Sequence, residues 1–185
     1  MTILDFHTHT PRLLSIVDID PSQEVPPVLN RNMRYSVGIH PWNVSRVTPE
    51  QWITTKVLAL SRNVIAIGET GLDRARSPET LPLQTEWLCR HVELSETVGK
   101  PLILHIVRCF PEIIALRRRL RPTQPWIIHG FRGKPQLGAE LLRHGFRLSF
   151  GSRFNPASFA LTPSPLRETD SDSLMSNREI FTPDL

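Results

Sequence analysis

The chain has 185 residues, 39% of them hydrophobic, and a formal net charge of +4. That length suits one domain with a sizeable core and leaves little for two. No run approaches the roughly 18 apolar residues of a membrane span, and the start of the chain lacks the basic residues, long apolar stretch and cleavage site of a secretion signal, so neither is expected.

The basic residues are chosen unevenly. Lysine occurs at Lys56, Lys100 and Lys134 only, and the other 19 of the 22 basic residues are arginines. An arginine fork binds phosphate or carboxylate at two points, so the bias suits a phosphate-bearing substrate. Genomic base composition explains it as well. Cys89 and Cys109 have no metal-type spacing and read as free thiols in a reducing cytoplasm. The 17 prolines are scattered and form no low-complexity tract.

In chain order, short apolar runs rich in β-formers recur at residues 3–6, 14–19, 35–39, 64–67, 102–104, 126–128, 146–150 and, weakly, 166–169. Helical patterns separate several of them. Thr48-Pro49-Glu50-Gln51 reads as a capping box opening a helix. Residues 85–98 carry an apolar stripe that stops at Gly99. Residues 111–120 and 135–144 each open with proline, and Gly145 closes the second. Alternating strands and helices predict a parallel α/β fold, and eight strands predict a TIM-type (β/α)8 barrel. The connections after the first two strands are too short for full helices, so the barrel is expected to be smaller than the usual ~250 residues. Residues 155–165 are weakly patterned, and 15 residues follow Asp170, which predicts a short final helix.

His7 and His9 close the first run. Side chains two apart on an extended backbone face one way, so two imidazoles can converge on one cation. Alone, the pair reads equally as two surface histidines. Glu69, His105, His129 and Asp170 each close another predicted strand. In a parallel barrel those strand ends share one mouth. Six ligand-type residues there point to a metal centre rather than to separate structural polar groups. Divalent ions lower the pKa of bound water and neutralise a phosphate and its leaving oxygen, so hydrolysis is the expected chemistry.

The local motifs resemble those of the TatD-like deoxyribonuclease family: DFHTH (5–9), VGIHPW (37–42), AIGETGLD (66–73), PLILH (101–105), IIHGFRG (127–133), GFRLSFG (145–151) and ETD (168–170). They occur in the family's order across nearly the whole chain. The resemblance implies an amidohydrolase-like barrel that binds up to two divalent ions and hydrolyses phosphodiesters, with DNA as the usual assigned substrate. It implies that His7, His9 and Asp170 bind one ion, that His105 and His129 bind the second, and that Glu69 bridges them. Asp170 would also orient the attacking water or take its proton. Histidine and carboxylate ligands suit zinc, manganese, cobalt or nickel, and carboxylates with water suit magnesium. RNA and small phosphodiesters stay open beside DNA, as does the oligomeric state.

Some amidohydrolase relatives bridge their metals with a carboxylated lysine. None of the three lysines here ends a predicted strand, which favours the TatD-like branch over a hydrolase of cyclic amides or lactones. A non-catalytic metal-binding or nucleic-acid-binding relative is a further alternative, motivated by the short C-terminal region. Among secondary residues, His40 would touch a substrate phosphate or cap its turn. Asp73 would orient a metal-binding histidine from behind or stabilise its loop. Arg108, Arg132 and Arg153 are phosphate-contact candidates or solvated side chains. Arg117, Arg118 and Arg119 read as a solvated helix face, and His91 and His144 as helical residues, His144 suiting the dipole at its helix's C-terminus without a functional role. Asp172 competes with Asp170 as a ligand.

Overall fold

The computed structural model describes residues 3–23 and 28–170. Eight strands lie in sequence order, each parallel to the next. They are β1 (Asp5–Thr8), β2 (Ser15–Ile19), β3 (Arg34–Val37), β4 (Val64–Asp73), β5 (Leu102–Val107), β6 (Trp126–Ile128), β7 (Phe146–Phe150) and β8 (Leu166–Arg167). Helices cross between successive strands from β3 onward: α1 (Pro49–Ala59), α2 (Leu81–Val98), α3 (Phe110–Leu120), α4 (Pro135–Arg143) and α5 (Pro156–Leu161). Among the described residues the first two connections hold no helix. The result is the expected small, nearly closed parallel barrel.

The seam between β8 and β1 is sewn by few bonds. Thr169 donates from its backbone N and its Oγ1 to the two oxygens of Asp5, at 2.9 and 2.7 Å. The next residue, Asp170, donates its N–H to His7 O at 3.0 Å. Burial of Asp5 raises its carboxyl pKa against these bonds, so the clasp holds an acidic group inside the protein.

The helix signals behave as the sequence predicts at α1 and α2. Thr48 Oγ1 accepts from Gln51 N at 3.3 Å, and Gln51 Oε1 accepts from Thr48 N at 2.8 Å. Helix α2 ends at Gly99, whose φ of +66° is the left-handed conformation that glycine adopts without penalty. Its start differs. It begins at Leu81, four residues before the apolar stripe, because the buried Gln84 faces inward. Gln84 accepts from Asp73 N at 2.7 Å and donates to Ser77 O at 3.0 Å. A polar residue serving the core breaks the pattern that marks a helix.

Two other readings are corrected. Residues 155–165 contain α5, opened by Asn155, whose Oδ1 accepts from Ala157 N and Ser158 N. Asn-Pro was a start signal hidden in a weakly apolar stretch. Arg117 is not part of a solvated face. Its Nε donates to His144 O at 2.8 Å, and its guanidinium lies against Trp126 and Phe146. Asp172 and the expected final helix lie outside the described residues.

The main core lies between strands and helices, with Leu88, Val92, Ile113 and Leu141 packed in one cluster with Leu102, Leu104, Ile128 and Leu148. Ile16, Ala66 and Ile103 form a separate cluster. Ile16 and Ile103 stand two positions before Asp18 and His105, so each strand face carries an apolar floor first and a polar group nearer its C-terminal end.

Candidate metal centre

Strand β1 delivers His7 from its interior and His9 just beyond its end. Strand β4 runs well past the expected residue 67 and carries Glu69 and Asp73 on its extension. Strand β5 carries His105, and His129 follows β6 directly. Asp170 lies three residues beyond β8 with φ +47°, a left-handed conformation that Asp tolerates better than most residues, and its bond to His7 O holds it there.

Close backbone approach makes this convergence possible. A Cβ built on Gly71 would lie 1.9 Å from His105 O, and one on Gly38 would lie 2.7 Å from Glu69 O. Glycine at these two positions lets β4 sit against its neighbours at the level of the site.

All six expected residues come together. Glu69 is 2% exposed and stands at the centre. Its Oε1 lies 2.7 Å from His105 Nδ1, 2.7 Å from His129 Nε2 and 3.2 Å from His40 Nε2. Its Oε2 lies 3.2 Å from His7 Nε2. Asp170 Oδ1 is 3.6 Å from His9 Nε2 and 3.7 Å from His7 Nε2. His7, His9 and Asp170 thus form one compact group of ligand atoms, and Glu69 joins His7 with His129 and His40 with His105 in two others.

The protonation balance follows from this crowding. Burial pushes Glu69 up, but the imidazoles of His129, His105 and His40 outweigh it and hold the carboxyl well below its usual range. Burial likewise lowers His129 and His105, yet the carboxylates facing them reverse the sign and raise both. The bond to Asp170 lifts His9 to about 9, and the same bond brings Asp170 to about 2. The carboxylates gather positive charge onto the imidazoles.

A divalent cation fits this donor set. His7 is fully buried, and neither of its ring nitrogens has a hydrogen-bond partner among the described residues. Although Nε2 is within ion-pair distance of Glu69, the alignment of a hydrogen bond is missing. A buried, unsatisfied imidazole carries a penalty of about 1–3 kcal/mol unless something else binds it, and a cation between it and the two carboxylates would do so.

Sequence reasoning missed two carboxylates behind the histidines. Glu168 Oε1 lies 3.3 Å from His129 Nδ1, and its Oε2 accepts from Ser149 Oγ. Asp18 Oδ2 lies 4.0 Å from His9 Nδ1, while Oδ1 accepts from Glu69 N at 2.8 Å. Glu168 and Asp170 alternate after β8, and Asp18 and Asp20 alternate in and after β2. This is the spacing that singled out His7 and His9. Asp73 does take the expected place behind a histidine, with Oδ2 3.1 Å from His105 Nε2. His40 takes the anticipated place in its turn, where its Nδ1 accepts from Trp42 N, while its Nε2 faces Glu69.

The cluster opens into a cavity of about 1450 Å³. Among the described residues its arginines are Arg46 and Arg76. Arg108, Arg132 and Arg153 are exposed and outside its lining. The pattern around strand ends drew attention to arginines near His105 and His129, whereas the loops after β3 and β4 supply those of the mouth.

The fold and the sequence have recognisable relatives. The chain is 32% identical over 120 residues to the metal-dependent hydrolase YcfH of Escherichia coli K12, a match covering 64% of this chain and 44% of that protein. It is 29% identical over 142 residues to the protein named 3'-5' ssDNA/RNA exonuclease TatD of Enterobacter lignolyticus, covering 72% and 52%. The crystal structure of YjjV, a TatD homologue of Escherichia coli K12, superposes with a TM-score of 0.66 over 76% of this chain and 59% of that one, at 24% identity. The chain spans about half the length of the curated relatives it matches. The family described as TatD related DNase matches residues 20–176. With an eight-stranded parallel barrel and a histidine–carboxylate cluster at its mouth, the chain belongs to the TatD related DNase family.

Proposed function

We propose that this protein is a metal-dependent phosphodiesterase acting on DNA, as one domain over residues 1–185. The observation that carries the reading is the Glu69 carboxylate ringed by four imidazoles, one of them the unsatisfied His7. His7, His9 and Asp170 would hold one divalent ion, His105 and His129 a second, and Glu69 would serve both. Such ions supply Lewis acidity and make a bound water acidic. Asp170, ionised and at the rim, accepts a hydrogen bond from the attacking water and orients it toward phosphorus. Glu168 and Asp73 hold His129 and His105 in register from behind. The buried floor excludes water from below, so attack comes from the cavity side.

The relative named as an exonuclease of single-stranded DNA and RNA supports a nucleic-acid substrate. The reading of a cyclic-amide hydrolase gains nothing from the lysines. None lines the cavity, and Lys100 Nζ is engaged by the carbonyls of Ala59 and Ser61. Among the described residues no helix is long and apolar enough to cross a membrane. Cys89 and Cys109 are unpaired thiols, which supports a cytoplasmic protein.

The test is hydrolysis of single-stranded DNA and of bis(p-nitrophenyl) phosphate by chelator-treated protein, with single divalent ions added back. Turnover restored by an ion and reduced by orders of magnitude in Asp170→Asn supports the reading. Absence of turnover with every ion overturns it.

A further inference from the structure

Among the described residues, two guanidinium groups stand in the mouth without a counter-charge. Arginine–carboxylate pairs among the described residues join Arg74 to Glu112 and Arg90 to Glu86. Arg46 and Arg76, the cavity's arginines, have no carboxylate within ion-pair distance among those residues. Arg46 makes a long contact of 3.4 Å to Asn43 Oδ1. Asp20, an acidic residue of the same lining, is already engaged. Its Oδ2 accepts from His40 N and Asn43 Nδ2, and its Oδ1 accepts from Ser22.

Arg76 is held in a particular way. Its guanidinium carbon lies 3.6 Å from the Trp42 ring centroid. Stacking uses the faces of both planes and leaves the in-plane N–H donors free, the geometry that receives a phosphate at two points. One carboxylate then ties this stack to the metal centre. Asp73 Oδ2 accepts from Trp42 Nε1 at 2.7 Å and lies 3.1 Å from His105 Nε2. Asp73 Oδ1 accepts from Ala75 N and Arg76 N at 2.8 and 3.0 Å. The indole, the backbone of Arg76 and His105 therefore share one anchor, which fixes the guanidinium's reach from the place of hydrolysis.

We propose that Arg46 and Arg76 form a phosphate subsite that takes the phosphate next to the one being cleaved, with Trp42 as the platform that holds Arg76 ready. The inference rests on the phosphodiesterase reading above and names its preferred substrate as a strand or nucleotide bearing a second phosphate. The subsite belongs to the β3–α1 and β4–α2 loops, away from the arginines that follow His105 and His129.

Two measurements test it. The first compares kcat/KM of the metal-loaded protein for a thymidine dinucleotide with and without a terminal phosphate at either end. The wild type prefers one phosphorylated form by roughly tenfold or more, the scale of one charge-assisted contact. Arg76→Ala and Trp42→Leu bring that ratio toward unity, and Arg76→Lys restores it only in part because an ammonium has no plane to stack. Arg119→Ala, on the outer face of α3, keeps it. A wild type indifferent to the terminal phosphate, or an Arg76→Ala protein with the full preference, overturns the subsite.

The second measurement is calorimetric binding of thymidine 3′,5′-bisphosphate and of thymidine to metal-free protein. Affinity for the bisphosphate alone falls roughly tenfold in Arg76→Ala if the subsite exists. Equal binding of the bisphosphate by wild type and variant overturns it. Loss of all hydrolysis with every ion, alongside Arg76-dependent bisphosphate binding, would sink the phosphodiesterase reading and leave the anion subsite standing.

Discussion

Asp73 Oδ2 lies 3.1 Å from His105 Nε2, on the opposite side of the imidazole from Glu69 Oε1, which is 2.7 Å from Nδ1. The ring is held between two carboxylates, so Asp73 sets which nitrogen is left for a cation. The charge of Asp73 is itself stabilised. Burial raises its carboxyl, but the bonds from His105, Trp42 and the Arg76 and Ala75 amides outweigh that and lower it. Asp73→Asn keeps an acceptor and removes the charge. Affinity for the ion at His105 is expected to fall 10–100-fold, measured by titration of metal-free protein with Mn²⁺. Unchanged affinity would make Asp73 a loop-stabilising residue only.

Gly71 tests how strictly the site depends on backbone contact. Adding a methyl group places Cβ 1.9 Å from His105 O, so β4 and β5 must separate at the level of the site. Gly71→Ala is expected to cost about 3 kcal/mol or more. Gly99→Ala, whose Cβ meets nothing within 4 Å but whose φ is +66°, should cost only about 1 kcal/mol. Urea midpoints of the two variants check the contrast, and equal losses would contradict it.

His91 gives the fold a dependence on pH. It is fully buried, accepts from Ile39 N at Nε2 (2.9 Å) and has Nδ1 2.7 Å from Trp87 O. Burial lowers its pKa from 6.5 to about 4, with the carbonyl of Trp87 and the charge of Asp20 opposing. The unfolded chain therefore binds this proton first. Stability from the neutral ring is complete above about pH 6.5 and is lost as the pH falls toward 4, by ~3 kcal/mol in all. Urea unfolding of metal-free protein at pH 7 and pH 4.5 should show a larger acid loss in wild type than in His91→Gln. The same loss in both would show that His91 carries no linked proton. The bond to Ile39 N also places this helical residue directly behind the strand end that presents His40, a role the sequence offered no reason to suspect.

The barrel was legible because its strands are short, apolar and buried, and because α1, α2 and α4 carry local start or stop chemistry in Thr48, Gly99 and Gly145. Glu69, His105, His129, His7 and His9 were legible because each follows an apolar run within three residues. What escaped notice depends on long-range pairing. Asp18 and Glu168 matter through the rings of His9 and His129, and their alternation with Asp20 and Asp170 marks a shared strand face without naming those partners. Gln84 and Asn155 hid α2's start and all of α5 because polar side chains there serve the backbone instead of forming a stripe. Arg117 looked solvated beside Arg118 and Arg119, whereas only the tertiary fold brings the His144 carbonyl to its Nε.

The central claim is that one carboxylate, Glu69, serves two divalent ions held by the histidines and Asp170. Its most direct test is the metal content of wild type and Glu69→Ala after equilibration with one ion type and removal of the excess. The account predicts up to two ions per wild-type chain and loss of both in Glu69→Ala, with circular dichroism unchanged. A folded Glu69→Ala protein that retains the wild-type number of ions would contradict it.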